Sequence, residues 1–365
     1  MRLEACSAVV AALASSAVAE ARADHQLIGW GLNNYGQCDV PSDLGTVLDL
    51  GVGGGAVNNN AVAAGHTVAL TFAGQVRAWG FNGEGQCDGP SDLGKVVAIG
   101  VGRGHSLASL EGGTVRAWGL NWLGQCNVPP GLSGVVAVDG GWAFSIALLA
   151  NGTVRAWGED AHGELNVPDH LAPFDRIDAG GWHNLARRTT GSVVAWGYNL
   201  HRESDVASEL GSATEISAGQ SHSMALDIDG LVHVWGSNSD GQRAVPDSLG
   251  RCVAIAAGGW FSLALRANGE VVSWGSLTNV PASLPMTTDM RLSASYSHVF
   301  AVVGKVDPCP ADTNGNGVVN HVDLAAVLSS WGTDGQSEGD ADTNDDGIVD
   351  GLDLTGVLGA WGPCP

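Results

Sequence analysis

Apolar residues fall in short runs separated by glycine-centred turns, and the whole arrangement returns at a fixed distance. The unit reads V-x-A-I-x-A-G-x-x-H-S-L-A-L-x-x-N-G-x-V-R-A-W-G-x-N-x-x-G-Q-C-x-V-P. Its three apolar runs, with Asn-Gly or Gly-Gly between the second and third, predict an antiparallel meander. A weaker fourth strand is expected after Gly-Gln. Trp-Gly recurs at Trp30, Trp79, Trp118, Trp157, Trp196, Trp235 and Trp274, at intervals of 39 after a first step of 49. A second marker stands at His66, His105, Phe144, His183, His222, Phe261 and His298, again 39 apart until a last step of 37. Four strands in about 40 residues is the size of a propeller blade.

The two markers are offset. The repeats begin with a Trp-Gly half at Trp30 and end with a His half at His298. Seven blades therefore close by joining the last inner strands to the first outer strand, which leaves no strand pair open. The fold expected is mainly β: a seven-bladed β-propeller with a composite N/C-terminal closure blade, followed by a small α-helical, EF-hand-like domain.

The Trp-Gly-x-Asn-x-x-Gly-Gln and Ala-Gly-x-x-His-Ser-x-Ala-Leu elements resemble the repeats of the regulator-of-chromosome-condensation family, over about residues 27–303. The 39-residue period is closer to the compact bacterial members. The resemblance implies a propeller. The nucleotide-exchange activity of the eukaryotic members is not carried over, because the chain has a leader and lacks a basic tail.

In a meander, the turns between strands one and two share an end with those between three and four. The first kind holds the residues before the His marker: Arg103, Trp142, Trp182, Gln220, Trp260 and Tyr296. The second holds the pairs Asn34-Tyr35, Gly83-Glu84, Trp122-Leu123, Ala161-His162, Leu200-His201 and Ser239-Asp240. The ten extra residues of the first interval, near 51–60, join the same end. Tight turns such as Ala150-Asn151-Gly152 lie opposite. Large aromatics in such loops predict a binding face for a protein or a glycan, with Tyr35, Arg103, Trp122, Trp142, Trp182, Trp260 and Tyr296 as its residues. The Trp-Gly tryptophans are expected in the core between blades. Phe144 and Phe261 replace the marker His, so its expected task is packing plus a hydrogen bond within the blade.

The net charge of -22, from 16 basic and 38 acidic residues, excludes a nucleic-acid partner of the usual kind. Arg2, the small apolar run Ala5–Ala19 and the Ala-x-Ala sites at 17–19 and 21–23 predict a secretory signal peptide over residues 1–23. No other stretch reaches membrane-spanning length, so an exported protein without a membrane span after cleavage is expected. Cys38, Cys87 and Cys126 share a repeat position filled elsewhere by Leu165, Ser204 and Arg243. A metal ligand would not be so replaceable, so these read as packed thiols, and Cys252 likewise.

The propeller is expected over 24–304 and a second domain over 305–365. Residues 307–365 hold 11 acidic residues and no Lys or Arg, and a second repeat runs there with an offset of 30. Each copy spells a calcium loop of the EF-hand type. The first offers Asp312, Asn314, Asn316, the Val318 carbonyl, Asn320 and Asp323, with Gly317 at the bend; the second offers Asp342, Asn344, Asp346, the Ile348 carbonyl, Asp350 and Asp353, with Gly347. Two Ca2+ ions are the expected cofactors. Leu324, Val327, Leu328 and Trp331, with Leu354, Val357, Leu358 and Trp361, give each loop an apolar helix. The segment resembles a dockerin, which implies a cohesin-like or cell-surface protein partner. Positions ten and eleven of the loops are His321-Val322 and Gly351-Leu352, not the Ser-Thr type of cellulosomal dockerins. Cys309 and Cys364 sit in matching Pro-Cys-Pro contexts at the two ends, and a disulfide is expected between them.

The leading reading is a secreted, non-enzymatic binding or scaffold protein with a calcium-dependent anchor. The alternative is a polysaccharide-degrading hydrolase or lyase, which needs paired carboxylates. Glu159, Asp160, His162 and Glu164 form the best local group, with Glu84 and Asp240 in equivalent loops.

Overall fold

The computed structural model describes residues 26–57, 62–282, 284–285 and 290–303, with 318–319, 324, 327–328, 354, 357 and 362–363 of the tail. The expected leader, Cys309, Cys364 and every expected calcium ligand except Val318 lie outside the described residues. The chain divides into two units, Gln26–Gly304 and Met1–His25 with Lys305–Pro365.

The first unit holds seven three-stranded antiparallel sheets, each with its marker strand in the middle. After β1 (Gln26–Gly31) come β2 (Val47–Val57), β3 (Val62–Thr71) and β4 (Val76–Gly80), then β5 (Val96–Val101), β6 (His105–Leu110) and β7 (Val115–Gly119). The next two blades are β8 (Val135–Gly140), β9 (Phe144–Leu149) and β10 (Val154–Gly158), and β11 (Phe174–Ala179), β12 (His183–Arg188) and β13 (Val193–Gly197). They are followed by β14 (Ala213–Ala218), β15 (His222–Asp227) and β16 (Val232–Gly236), and by β17 (Cys252–Ala257), β18 (Phe261–Arg266) and β19 (Val271–Gly275). β20 (Met290–Ala294) and β21 (His298–Val303) then take β1 as their third strand, with Trp30 opposite Val299. The offset of the two markers thus produces the shared closure blade.

The fourth strand expected after Gly-Gln is not formed among the described residues. That segment turns instead. Asn33 Oδ1 accepts the Cys38 N–H at 2.8 Å, and Asn82, Asn121, Asn199 and Asn238 hold the residue five positions on in the same way. A side-chain amide that closes its own loop competes with the ladder, and the following proline removes a ladder donor.

Apolar side chains are buried between neighbouring sheets. Met224 and Leu226 of one blade meet Ile255, Ala264 and Trp274 of the next. Phe300 and Val302 of the closure blade pack on Val47, Leu50 and Ala69. Each fully buried side chain of this size contributes about 1.5–3 kcal/mol, so the ring is held by its blade interfaces. The glycine of every Trp-Gly pair has φ between +93° and +108°. A Cβ at Gly119 would stand 2.6 Å from the Gly104 carbonyl oxygen, which is why the dipeptide is fixed.

The polar repeat residues form a seam between blades, which corrects the expected hydrogen bond within the blade. The indole of Trp118 and the hydroxyl of Ser106 both donate to the Gln86 carbonyl of the preceding blade's loop, at 3.0 and 2.8 Å. His66 Nε2 in turn meets Ser106 Oγ at 3.1 Å, and the same bond joins His105 to Ser145, His183 to Ser223 and His222 to Ser262. Phe144 replaces His where the next blade carries Asn184, and Phe261 where it carries Val299. The histidine disappears together with its hydroxyl partner.

In the second unit β22 (Val318–Val319) pairs antiparallel with β23 (Gly362–Pro363). Leu324, Val327, Leu328, Leu354 and Val357 are helical, and Val327 and Val357, thirty residues apart, are fully buried.

Candidate functional site

The turn before each marker residue offers two positions with different destinies. Residues two before the marker face the ring axis: Arg103, Trp142, Gly181, Gln220, Gly259 and Tyr296 line the mouth of a central funnel of about 70 Å³. Backbone bonds tie this rim from blade to blade, from Arg103 N to Gly141 O, Trp142 N to Gly181 O and Gln220 N to Gly258 O, at 3.1–3.2 Å. Residues one before the marker lie further out. Trp182 and Trp260 stand there, and each reaches a rim residue of a neighbouring blade.

The result is a chain of ring contacts on one end of the propeller. Trp142 meets Trp182 at 5.1 Å between centroids, and Trp260 meets Tyr296 at 4.5 Å. Arg103 lies over the Trp142 ring at 4.7 Å. From Trp182 the contacts run outward to His162 and on to Tyr198 and His201. Tyr35 packs edge-on against Phe81 at 4.9 Å. Trp122 is 80% exposed, and Leu123 and Leu200 are exposed at their own turns. All seven residues expected on the face therefore lie at its two kinds of turn. They form an arc around Trp142–Trp182, a second pair at Trp260–Tyr296, and separate outposts at Tyr35 and Trp122.

Tyr198 and Phe81 were not expected here. They follow Trp-Gly directly, a position that also holds Leu32, Leu120, Glu159, Ser237 and Ser276. That variety is the signal that would have found them. The ten-residue insertion is no loose loop: β2 and β3 continue past His66 as a two-stranded arm, with Gly53 paired to His66 and Val57 to Val62. Arg103 is held between this arm and Trp142, because a Cβ on Gly55 would lie 3.0 Å from its Cγ and 3.1 Å from its Nε. Burial draws the Arg103 guanidinium below its ordinary pKa, and the nearby Tyr296 hydroxyl works against that shift.

The acidic group that follows β10 is not assembled as a catalytic pair. Asp160 Oδ1 accepts the Leu165 N–H at 2.9 Å, in the place of the loop-closing asparagine. Glu164 is fully buried and its Oε2 accepts the His162 N–H at 2.8 Å, as Gln125 Oε1 does for Leu123. Only Glu159 is left outside the turn; burial and the neighbouring Glu164 charge raise its pKa. The thiols of Cys38, Cys87 and Cys126 donate to carbonyls six residues back, and burial pushes them to about 11, 12 and 11. Ser204 makes the same bond, which explains its interchange with cysteine. Among the described residues no group of three or more His, Cys, Asp or Glu is arranged to hold a metal ion.

The family model for the regulator of chromosome condensation (RCC1) repeat matches residues 62–86, 96–125, 135–164, 174–202, 213–242 and 252–279. A search of the curated proteins returns no sequence match. Among solved structures, Prp20p of Saccharomyces cerevisiae is 19% identical, with a TM-score of 0.61, over 78% of this chain and 92% of that one. Human WBSCR16 is 17% identical with a TM-score of 0.58, over 78% of this chain and all of that one. The ectodomain of the Arabidopsis thaliana receptor kinase ACR4 is 18% identical with a TM-score of 0.55, over 70% and 97%. These likenesses show the fold. Six RCC1-like repeats, and a seventh blade sealed by the two ends of the unit, make residues 26–303 a seven-bladed β-propeller.

Proposed function

We propose that the propeller is a protein-binding scaffold that uses the aromatic end of the ring, and that the protein is exported and anchored by a calcium-bound tail. The observation that carries the reading is the Trp142–Trp182 contact at 5.1 Å, with Trp122 80% exposed at a separate turn. Indoles held rigidly at a partly open surface are the residues that dominate protein interfaces. The yeast propeller Prp20p is described by its binding to Gsp1p and histones, and a protein partner of some kind is the part of that description carried here. A funnel of about 70 Å³ is also far below the 300–1,000 Å³ of an ordinary small-molecule site. The same features favour a non-enzymatic role in this reading, with Asp160 and Glu164 engaged in their turn.

Export rests on the leader at 1–23. The anchor rests on the two calcium loops, from Asp312 to Asp323 and from Asp342 to Asp353, and on the Cys309–Cys364 clasp. The thirty-residue match of buried Val327 and Val357 supports a paired-loop tail. The test is capture from native culture medium by the full chain, by a W142A/W182A variant and by wild type in chelator. Proteins lost in the variant but retained in chelator are partners of the face, and those lost only in chelator are partners of the tail. If the double variant captures the same set as wild type, the face reading fails.

A further inference from the structure

One repeat lacks the valine near its end. At steps of 39 that position holds Gly89, Val128, Val167, Val206 and Val245, with Gly89 in Gln86-Cys87-Asp88-Gly89-Pro90. Each of the four valines packs into the cluster that holds the next blade's tryptophan: Val128 with Trp157, Val167 with Trp196, Val206 with Trp235 and Val245 with Trp274. Val40 keeps the side chain one repeat earlier but is exposed. Gly89 brings no side chain to Trp118, and a crevice of about 210 Å³ lies there, between the outer strands β4 and β7. We propose that this crevice is a binding site for a small neutral molecule or side chain with a branched aliphatic end, which takes the place of the missing valine. The inference does not rest on the aromatic end of the ring and adds a second site to the propeller.

The backbone does not require this glycine. Its φ is not positive, and a Cβ there would stand 3.4 Å from Trp118 Cζ2 and 3.9 Å from Leu93 Cδ1, which are ordinary contact distances. Its neighbours have not grown to compensate. Leu93 and Val76 line the crevice and match Leu132 and Val115 of the next repeat. The missing side chain is therefore left as space in an interior that is otherwise close-packed. The volume of about 210 Å³ sets the size of the occupant. An apolar cavity of roughly 150 Å³ takes benzene and drug-sized sites begin at roughly 300 Å³, so the occupant is little larger than benzene.

The lining selects a neutral, apolar group. Val76, Ala78, Pro90, Leu93 and Trp118 form most of the wall, and the Trp118 indole N–H is already donated to the Gln86 carbonyl at 3.0 Å. Among the described residues the polar lining is Cys87 and Arg77, and both are engaged. The Cys87 thiol donates to the Phe81 carbonyl at 3.4 Å, and burial pushes it up to about 12, which keeps it neutral. The Arg77 guanidinium donates to both oxygens of Asp43, at 3.0 and 2.8 Å, and those bonds hold the Asp43 carboxyl below its ordinary pKa. A charged ligand would leave water for a wall whose polar groups have partners, at a cost. An aliphatic end gains by the same move.

The test follows the methyl signals of small probes by ligand-observed NMR in the presence of the full-length protein. Isovaleramide should bind. Acetamide, which lacks the branched end, and isovalerate, which adds a charge, should bind at least tenfold more weakly. Gly89→Val restores the side chain of the other blades, so it should weaken isovaleramide at least tenfold with a melting temperature no lower than wild type. Gly89→Ala fills less of the space and should weaken it less; should the valine variant fail to fold, the alanine variant carries the test. The acetylated amide of leucine presents the same branched end on peptide groups. Tighter binding than isovaleramide assigns the occupant to a partner's side chain, and equal or weaker binding assigns it to a free molecule. Acetamide or isovalerate binding as well as isovaleramide, or wild-type binding by the folded Gly89 variants, would overturn the proposal. The W142A/W182A variant should bind isovaleramide as wild type does, so a failure of the aromatic end in partner capture leaves this site standing.

Discussion

His298 Nε2 lies 3.2 Å from Thr67 Oγ1, across 231 positions of sequence, and this bond carries the seam from the closure blade to the first full blade. Thr67 already donates its hydroxyl to the Gln37 carbonyl at 2.8 Å, so it can only accept from His298. The imidazole must therefore carry its proton on Nε2. Ser295 Oγ, 2.8 Å from Nδ1, then donates to that nitrogen. The same logic fixes the tautomer of His66, His105, His183 and His222, whose partner serines each donate to a loop carbonyl.

A coupled substitution tests the seam. Ser262→Val leaves His222 Nε2–H buried without an acceptor and should cost about 1–3 kcal/mol. His222→Phe alone leaves the serine its carbonyl and should cost less. The double variant reproduces the Phe261–Val299 pair found one blade on, and should be more stable than the two single losses predict, by about 1 kcal/mol. Denaturant midpoints of the four proteins measure the coupling, and strict additivity would mean the two residues do not act together.

Acid should open the ring. Burial lowers His66, His183 and His298 to about 3 and His105 and His222 to about 4, below the ordinary 6.5. A histidine with a depressed folded pKa contributes stability above its unfolded value, and that stability is lost as pH falls below 6.5. Five such groups together forfeit about 5 kcal/mol between pH 6.5 and 5.5. Buried carboxylates oppose this: Asp139, raised to about 6, and Asp178, raised well above the carboxylate range, hold more protons folded than unfolded in this window and return part of the loss. A net fall in melting temperature over that pH unit is expected by calorimetry. A flat or rising profile would mean that the histidines are not buried neutral.

The closed ring was legible because the Trp30 and His298 halves are complementary and strand period does not depend on distant partners. The aromatic end was legible from Trp142, Trp182 and Trp260 because a meander fixes which turns share a side. The seam was not. A hydrogen bond from His66 to Ser106 joins residues of different repeats, and one consensus unit cannot tell its own serine from its neighbour's. The missing fourth strand has a similar origin: the apolar content after Gly-Gln suggested pairing, and the Asn33-to-Cys38 side-chain bond overrides it. Arg103 was visible as a variable residue, but its clamp against Gly55 depends on the arm of the first full blade.

Glu164→Gln should be harmless or stabilising. Glu164 occupies the place of Gln86, Gln125 and Gln242, and its Oε2 makes the one bond that an amide oxygen also makes, to the His162 N–H. Its Oε1 is buried without a partner, and removing the charge relieves Glu159, whose pKa it helps raise. An unchanged or higher melting temperature is expected, with Glu159 titrating nearer its ordinary value by NMR. A large loss of stability would show that the carboxylate is required, and loss of a polysaccharide-cleaving activity would revive the enzymatic reading.

The tail should bind calcium unequally. Loop one offers two carboxylates, Asp312 and Asp323, while loop two offers four: Asp342, Asp346, Asp350 and Asp353. Each added carboxylate raises attraction for a divalent ion, and sites of this class in extracellular modules fill at about millimolar calcium. Calorimetry on the full chain should therefore show two sites, with Asp342→Ala removing the tighter and Asp312→Ala the weaker. Equal affinities would refute the ranking, and no calcium-dependent heat would remove the anchor. Mass mapping under non-reducing conditions should find Cys309 joined to Cys364. If both thiols are instead found free after export, chelation alone should release the tail's two ends, and a calcium-free sample would then lose partners of the tail without any reductant.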